Sequence, residues 1–340
     1  MKILVIRNGR VGDTVMATSA ITALLQVYPE AKITIIASPE GSRLLKDFHE
    51  RVEAIWVWSR YGLGIQSRRD KIKIIQKIEQ ANFDKIFCLD TNPSIASIVA
   101  TSQGEKYFQK CLGAPTHCAR HYLNLVEQAC GHKVDDIPVN LPVSAESSAQ
   151  LDTELDKIGI KHDDTVIMLH PTFSGYSRLG LRKRKAKKRK LWPAGNYAEL
   201  SQRLLNSDFA KNHSLKIIMA LLPAEQALGK KIVKLSSGKV QLIESVPSFE
   251  RYKALIHRAN LFVSPDTGPM HIAAAVNTRT VAMFSNKDPG DCGPYMEPGR
   301  FTILRSELTD HPEKGIAAIT VDAVMAACSE QLNKHFSGNQ

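Results

Sequence analysis

Asp13 ends a short polar turn, Asn8-Gly9-Arg10-Val11-Gly12-Asp13, that follows the β-branched run Lys2–Arg7. A carboxylate placed there suits two tasks. It can cap the amides of a following helix, a contribution of about 1 kcal/mol, or take the proton of a bound hydroxyl as a general base. Two glycines in the turn allow a sharp change of direction and close approach of backbone to a ligand. The turn is neither Gly-x-Gly-x-x-Gly nor Gly-x-x-x-x-Gly-Lys-Ser/Thr, so a dinucleotide fold and a P-loop nucleotidase gain little support.

A second constellation is Ser264-Pro265-Asp266-Thr267-Gly268-Pro269-Met270-His271-Ile272, which runs from an apolar segment into small residues with helical spacing. Proline is tolerated in the first turn of a helix, and the exposed amides of that turn, with the helix dipole, favour phosphate. The amides around Thr267, Gly268 and Met270 are candidates for that role. His271 is a further donor, and Asp266 an acceptor for a sugar hydroxyl. The spacing fits a capped helix with a satisfied histidine equally well.

His170-Pro171-Thr172-Phe173-Ser174-Gly175 also follows a strand-like run, and Lys190-Leu191-Trp192-Pro193 comes after a basic stretch. Hydroxyls of Thr172 and Ser174 together with the Lys190 cation would suit a diphosphate, since a lysine acts as a compact point charge. Glu225, behind the run Leu215 to Leu221, is an acceptor for ribose hydroxyls, or a solvent-facing residue of a first helical turn.

These residues need elements to carry them. Strand-like runs at Lys32 to Ala37, Ala54 to Trp58 and Lys85 to Leu89 alternate with helical spacing at Thr14 to Val27, Ser42 to Phe48 and Asp70 to Ala81. Alternation of that kind means a parallel sheet covered on both faces. The stretch from Val139 to Ser148 reads as a linker or domain edge. A second rhythm follows, with strands at Thr165 to Leu169, Leu215 to Leu221, Val240 to Ile243, Leu261 to Ser264 and Thr280 to Phe284. Its helices lie at Asn196 to Leu205, Glu225 to Leu235, Phe249 to His257 and Gly268 to Ala275, with a terminal helix about Ala317 to Leu332. The expectation is an α/β protein of two tandem domains, residues 1–150 and 151–340.

At 340 residues the chain is long enough for two real cores, and its 43% hydrophobic and 23% charged residues are ordinary for a globular protein. Its 45 Lys and Arg against 34 Asp and Glu leave +11, but eight of those cations lie between Arg182 and Lys190. That insert reads as a solvated loop, an anionic-lipid or phosphoglycan contact, or a nucleic-acid contact, although no aromatic-rich nucleic-acid motif accompanies it. A smaller group, Arg60, Arg68, Arg69, Lys71 and Lys73, would face an anionic acceptor, or form the polar face of a helix and its approach. No apolar run approaches the ~20 residues of a membrane span, and the first is too short for a secretory leader, so a cytoplasmic protein is expected. Six scattered cysteines without Cys-x-x-Cys indicate reduced thiols. Cys111, Cys118, His121 and Cys130 crowd one region, but at spacings that match no standard zinc pattern, and no metal is expected.

Taken in order, the opening Lys2-to-Thr14 segment, His170-Pro-Thr, Lys190-Leu-Trp-Pro and Pro265-Asp-Thr-Gly-Pro-Met-His271 resemble glycosyltransferase family 9, the ADP-heptose:lipopolysaccharide heptosyltransferases, over nearly the whole chain. The resemblance implies a GT-B fold: two Rossmann-like domains facing a cleft, the first for the acceptor and the second for the nucleotide sugar. It also implies inverting, metal-independent transfer without a cofactor, from ADP-heptose to a phosphorylated lipopolysaccharide core, at the cytosolic face of a membrane. Asp13 then matches the general base. Thr172, Ser174, Lys190, Glu225, Asp266, Thr267, Gly268, Met270 and His271 match the donor site, and Arg60, Arg68 and Arg69 would meet the acceptor. The sequence departs from the family in the long insert before Lys190 and in Ala275-Val-Asn-Thr-Arg279. Alternatives are a transferase for another nucleotide sugar or glycan and, from a different class, a non-catalytic anion-binding module.

Overall fold

The computed structural model describes residues 1–59, 65–109, 116–173, 175–176, 181–244 and 248–337, without the side chains of 65–67 and 181–185. The chain forms two compact units. The first comprises Met1–Pro142 with Gly290–Tyr295, and the second Val143–Pro289 with Met296–Gln340.

In the first unit five strands, β1 (Lys2–Arg7), β2 (Lys32–Ala37), β3 (Val52–Val57), β4 (Lys85–Cys88) and β5 (Glu105–Phe108), pair in parallel in the order β3-β2-β1-β4-β5. The central strand carries Ile3, Leu4, Val5 and Ile6, none of them exposed, as expected where helices cover both faces of a parallel sheet. The helix Val11–Val27 starts directly behind β1 and is buried along most of its length, so it stays close to the sheet edge where β1 ends.

In the second unit six parallel strands, β6 (Thr165–Leu169), β7 (Leu215–Ala220), β8 (Val240–Ile243), β9 (Leu261–Pro265), β10 (Thr280–Phe284) and β11 (Phe301–Arg305), lie in the order β11-β10-β9-β6-β7-β8. Taken from the other edge this is the doubly wound order in which the chain reverses direction between β6 and β9, and ligands bind outside the strand ends at such a reversal. The corresponding reversal of the first sheet lies between β1 and β4. The terminal helix Val321–Ser337 joins the core of the second unit through Val321, Val324, Ala327, Cys328 and Leu332.

Three segments, the basic insert, β5 and β11, differ from the sequence expectations. The boundary between the two units, at Pro142 and Val143, falls inside the stretch from Val139 to Ser148, and Ser144 there caps the helix Ala145–Lys157 by accepting from the Ser147 amide at 3.1 Å. The serines that suggest a loop supply a helix start instead. The basic insert is a helix, Leu181–Lys190, rather than a loop. It has no apolar stripe of its own, and Gly315 packs against it so closely that a Cβ there would lie 2.4 Å from the Arg189 carbonyl oxygen. Finally, β5 and β11 are edge strands, and neither was expected.

Candidate functional site

In the first unit the chemistry gathers at the reversal between β1 and β4. Asp13 sits in the first turn of the helix Val11–Val27, where its Oδ2 accepts from the Arg10 amide at 2.9 Å. It therefore does cap the helix. The same carboxylate stays partly exposed, 36% against 6% for Asp90, so a solute can reach it. Arg7, the last residue of β1, bridges the two: Nη2 lies 3.0 Å from Asp13 Oδ1 and Nη1 3.2 Å from Asp90 Oδ2. Its guanidinium also lies over the Tyr122 ring, 5.9 Å from the centroid. Burial works against the Arg7 charge, but Tyr122, Asp13 and Asp90 outweigh it and hold the group above the ordinary arginine range. Removing Arg7 would take away the ion-pair partner of the buried Asp90 carboxylate, and breaking a buried pair in this way typically costs about 3–5 kcal/mol. Gly9 is required by this packing, because a Cβ would fall 2.7 Å from the Asp13 side chain and 2.8 Å from Arg7 Nη1.

Arg68 and Arg69 are exposed on the helix Ile65–Ala81, and Arg60 lies outside the described residues. Of the cysteine and histidine group, Cys111 is also outside them. The Cys118 thiol donates to the Tyr122 hydroxyl at 3.0 Å, Cys130 turns to the carbonyls of Glu127 and His132, and His121 Nδ1 is buried with no hydrogen-bond partner among the described residues. Among the described residues no three His, Cys, Asp or Glu side chains converge on a metal position.

In the second unit two groups form at the carboxyl ends of β6, β7 and β9. Lys190 closes the basic helix, and its Nζ donates to Asp266 Oδ2 at 2.6 Å and to the Asp266 carbonyl at 3.1 Å. Both side chains are largely buried. The lengthened insert thus still delivers the lysine to the Asp-Thr-Gly element. Two anchors hold it there. On one side the Gly315 contact fixes the backbone of Arg189. On the other, the fully buried Trp192 donates from Nε1 to the Ile319 carbonyl at 2.8 Å and packs edge-on to Tyr197.

The helix Gly268–Ala275 begins beside this pair, with Thr267 as its N-cap residue. The Thr267 hydroxyl is buried and has no partner among the protein's described polar atoms. The Met270 amide donates to the Thr267 carbonyl at 3.1 Å, and the Met270 and His271 side chains are buried. That leaves Thr267 and Gly268, with Pro269 lacking an N–H, as the part of the turn suited to an anion.

The other group is Thr172 with Glu225. The Thr172 hydroxyl is buried and lies 3.2 Å from His170 Nε2, and the Glu225 carboxylate accepts from the Leu222 amide at 3.2 Å. Burial raises Glu225 above the usual glutamate range, and the nearby Thr172 hydroxyl and the Leu222 amide oppose the rise. Behind Thr172 lie His170 and Tyr252, neither of which the motif spacing singled out as a site residue. Ser174 is outside the described residues. Arg7, Asp90 and Tyr252 were likewise not expected. Arg7 ends one central strand and Asp90 lies just past the end of another, which is a usable signal, whereas Tyr252 lies mid-helix and gives none.

The model of glycosyltransferase family 9 (heptosyltransferase) matches residues 106–319. Lipopolysaccharide heptosyltransferase 2 of Escherichia coli K12 is 25% identical over 89% of this chain and 88% of its own length. Lipopolysaccharide heptosyltransferase 3 of the same organism is 22% identical over 94% and 95%. Among solved structures, a family 9 glycosyltransferase from Veillonella parvula superposes with a TM-score of 0.81 at 17% identity, covering 98% of this chain and 97% of that one. An Escherichia coli heptosyltransferase WaaC with ADP superposes at 0.72 and 17%, covering 97% and 100%.

Proposed function

Because the chain belongs to glycosyltransferase family 9, we propose that it transfers a heptose from ADP-heptose to the phosphorylated inner core of lipopolysaccharide, with inversion at the anomeric carbon. A transferase is an enzyme, so the reading as a non-catalytic anion-binding module falls away. The observation that carries the donor assignment is the meeting of Lys190, Asp266 and the buried, unpartnered Thr267 hydroxyl at the chain reversal of the second sheet. A cation, a hydroxyl and first-turn amides are what a diphosphate leaving group requires. Glu225 serves as acceptor for the ribose.

In the proposed reaction the acceptor hydroxyl oxygen bonds to the anomeric carbon while Asp13 takes its proton, and the bond from that carbon to the diphosphate breaks, releasing ADP. Arg7 orients Asp13 through one oxygen and the Arg10 amide through the other, and lone pairs remain on both to accept the proton. A positioned base typically contributes 10²–10⁴ in rate. Arg60, Arg68 and Arg69 are assigned to the anionic acceptor. No cofactor is assigned.

No single helix among the described residues is long and apolar enough to cross a membrane. The helix Leu181–Lys190 has no acidic residue and exposes Lys188 and Arg189, which supports a cytoplasmic enzyme that touches an anionic membrane surface peripherally. Calorimetric titration with ADP, UDP and GDP tests the donor assignment. Micromolar binding of ADP with weak binding of the others is expected, and equal binding of all three, or of none, contradicts it.

A further inference from the structure

We infer that Asp90 is a positioning residue for the proposed base: it draws one arm of the Arg7 guanidinium away from Asp13, which keeps that carboxylate open to the acceptor hydroxyl and balances the Arg7 charge once the proton has been transferred. The inference rests on the reading of Asp13 as the base and adds to it the residue that keeps Arg7 from weakening it.

The geometry is a divided fork. Arg7 Nη2 lies 3.0 Å from Asp13 Oδ1 and Nη1 lies 3.2 Å from Asp90 Oδ2, so the two arms that could grip one carboxylate in parallel go to different ones. Asp90 is itself fixed. Its Oδ1 accepts from the Asn92 amide at 2.9 Å, and Asn92 caps the helix Pro93–Val99 by accepting from the Ser94 amide at 2.9 Å. Asp13 Oδ2 already accepts from the Arg10 amide. If Nη1 closed on Asp13 as well, both of its oxygens would be crowded by donors and the approach of a hydroxyl would be hindered.

The charges lead to the same conclusion. An arginine stays protonated in a protein, so Arg7 with ionised Asp13 and Asp90 carries one net negative charge. As the acceptor oxygen bonds to the anomeric carbon and ADP leaves with the electrons of the broken bond, the hydroxyl proton passes to Asp13. Arg7 and Asp90 then remain as a neutral pair. Without Asp90 the same transfer leaves Arg7, whose side chain is 12% exposed, as a largely buried cation without a counter-charge from the fork. That cation favours the ionised form of Asp13 and makes it a poorer base. Among the described residues, the other titratable groups around the fork are Arg10 of the turn, Cys118 and Tyr122 of the helix Cys118–Cys130, and Asp291, which acts on Cys118.

The test is turnover of the full-length protein with ADP-heptose and a heptose-deficient lipopolysaccharide core, followed across pH, with ADP binding measured by calorimetry. Asp90→Asn is expected to leave ADP binding and the acceptor KM unchanged, to lower kcat about three- to tenfold, and to move the acid limb of kcat/KM to lower pH. Asp90→Ser, a smaller neutral side chain that can still accept from the Asn92 amide, is expected to move the limb the same way, and it carries the test if Asp90→Asn does not fold. Adding Arg7→Met to either variant removes the cation and is expected to bring the limb back to higher pH. A merely disturbed turn would lower kcat without moving the limb. Unchanged kcat in the neutral Asp90 variants, a limb that stays in place or moves to higher pH, or a limb indifferent to Arg7→Met overturns the inference. Equal turnover in Asp13→Asn and the unmodified protein contradicts the base reading itself, a result distinct from these.

Discussion

Lys190 and Asp266, 76 positions apart in sequence, form a 2.6 Å ion pair at the start of the helix Gly268–Ala275. The pair holds the cation where the proposed diphosphate would lie, so donor binding requires little rearrangement of Lys190. Charge-assisted hydrogen bonds contribute about 1.5–3 kcal/mol. Lys190→Met is therefore expected to weaken ADP binding about ten- to a hundredfold by calorimetry, while adenosine, which has no phosphate, binds as before. Equal loss for both ligands would mean that the substitution disturbs the pocket rather than the phosphate contact.

Gly315 supports the same lysine from behind. Its φ of 62° with ψ of −149° lies in a region restricted to glycine, and the Arg189 backbone fills the space a side chain would need. Gly315→Ala is expected to lose about 2–4 kcal/mol of stability in denaturant titration and to weaken ADP binding through displacement of the helix end. Wild-type stability in this variant would show that the contact is not tight.

His170 gives the protein a specific acid sensitivity. Its ring is held down from 6.5 to about 4 by burial, so the unfolded chain takes up this proton before the folded one does. Stability from this group is complete above about pH 6.5 and declines as pH falls towards about 4, by up to about 3 kcal/mol. Urea melts across that window are expected to show a shallower decline for His170→Gln than for the unmodified protein. Parallel declines would exclude His170 as a source.

Strands were legible where a short β-branched run stands next to a helical period: β1, β2, β6, β8 and β10 fall on the residues expected, and β1 and β6 among them carry the site. Elements without an apolar signature were not. The helix Leu181–Lys190 has eight cations and no buried stripe in its sequence, and its helical form depends on tertiary contacts such as Gly315. β5, with Glu105 and Lys106 in a four-residue edge strand, also carries too little apolar sequence to announce itself. Motif residues were readable one by one, yet their pairing was not. Lys190 meets Asp266, and Tyr252 meets His170, only because the fold brings distant segments together at one sheet.

The basic helix makes a prediction of its own. Vesicles rich in anionic lipid are expected to co-sediment the protein at low salt, with each neutralised cation near the surface reducing association by about 1 kcal/mol. Replacing Lys187, Lys188 and Arg189 by Gln should abolish most of it and leave ADP binding in place. Sedimentation that ignores lipid charge would contradict the membrane assignment.

Asp13 is the centre of the proposed chemistry, and its substitution by Asn keeps the shape while removing the base. The direct measurement is acceptor-dependent release of ADP from ADP-heptose, with a heptose-deficient lipopolysaccharide core as acceptor, paired with calorimetry of ADP binding. Asp13→Asn is expected to bind ADP as the unmodified protein does and to turn over at least about a hundredfold more slowly. Equal turnover in the two proteins would remove Asp13 from the reaction and with it the mechanism proposed for this site.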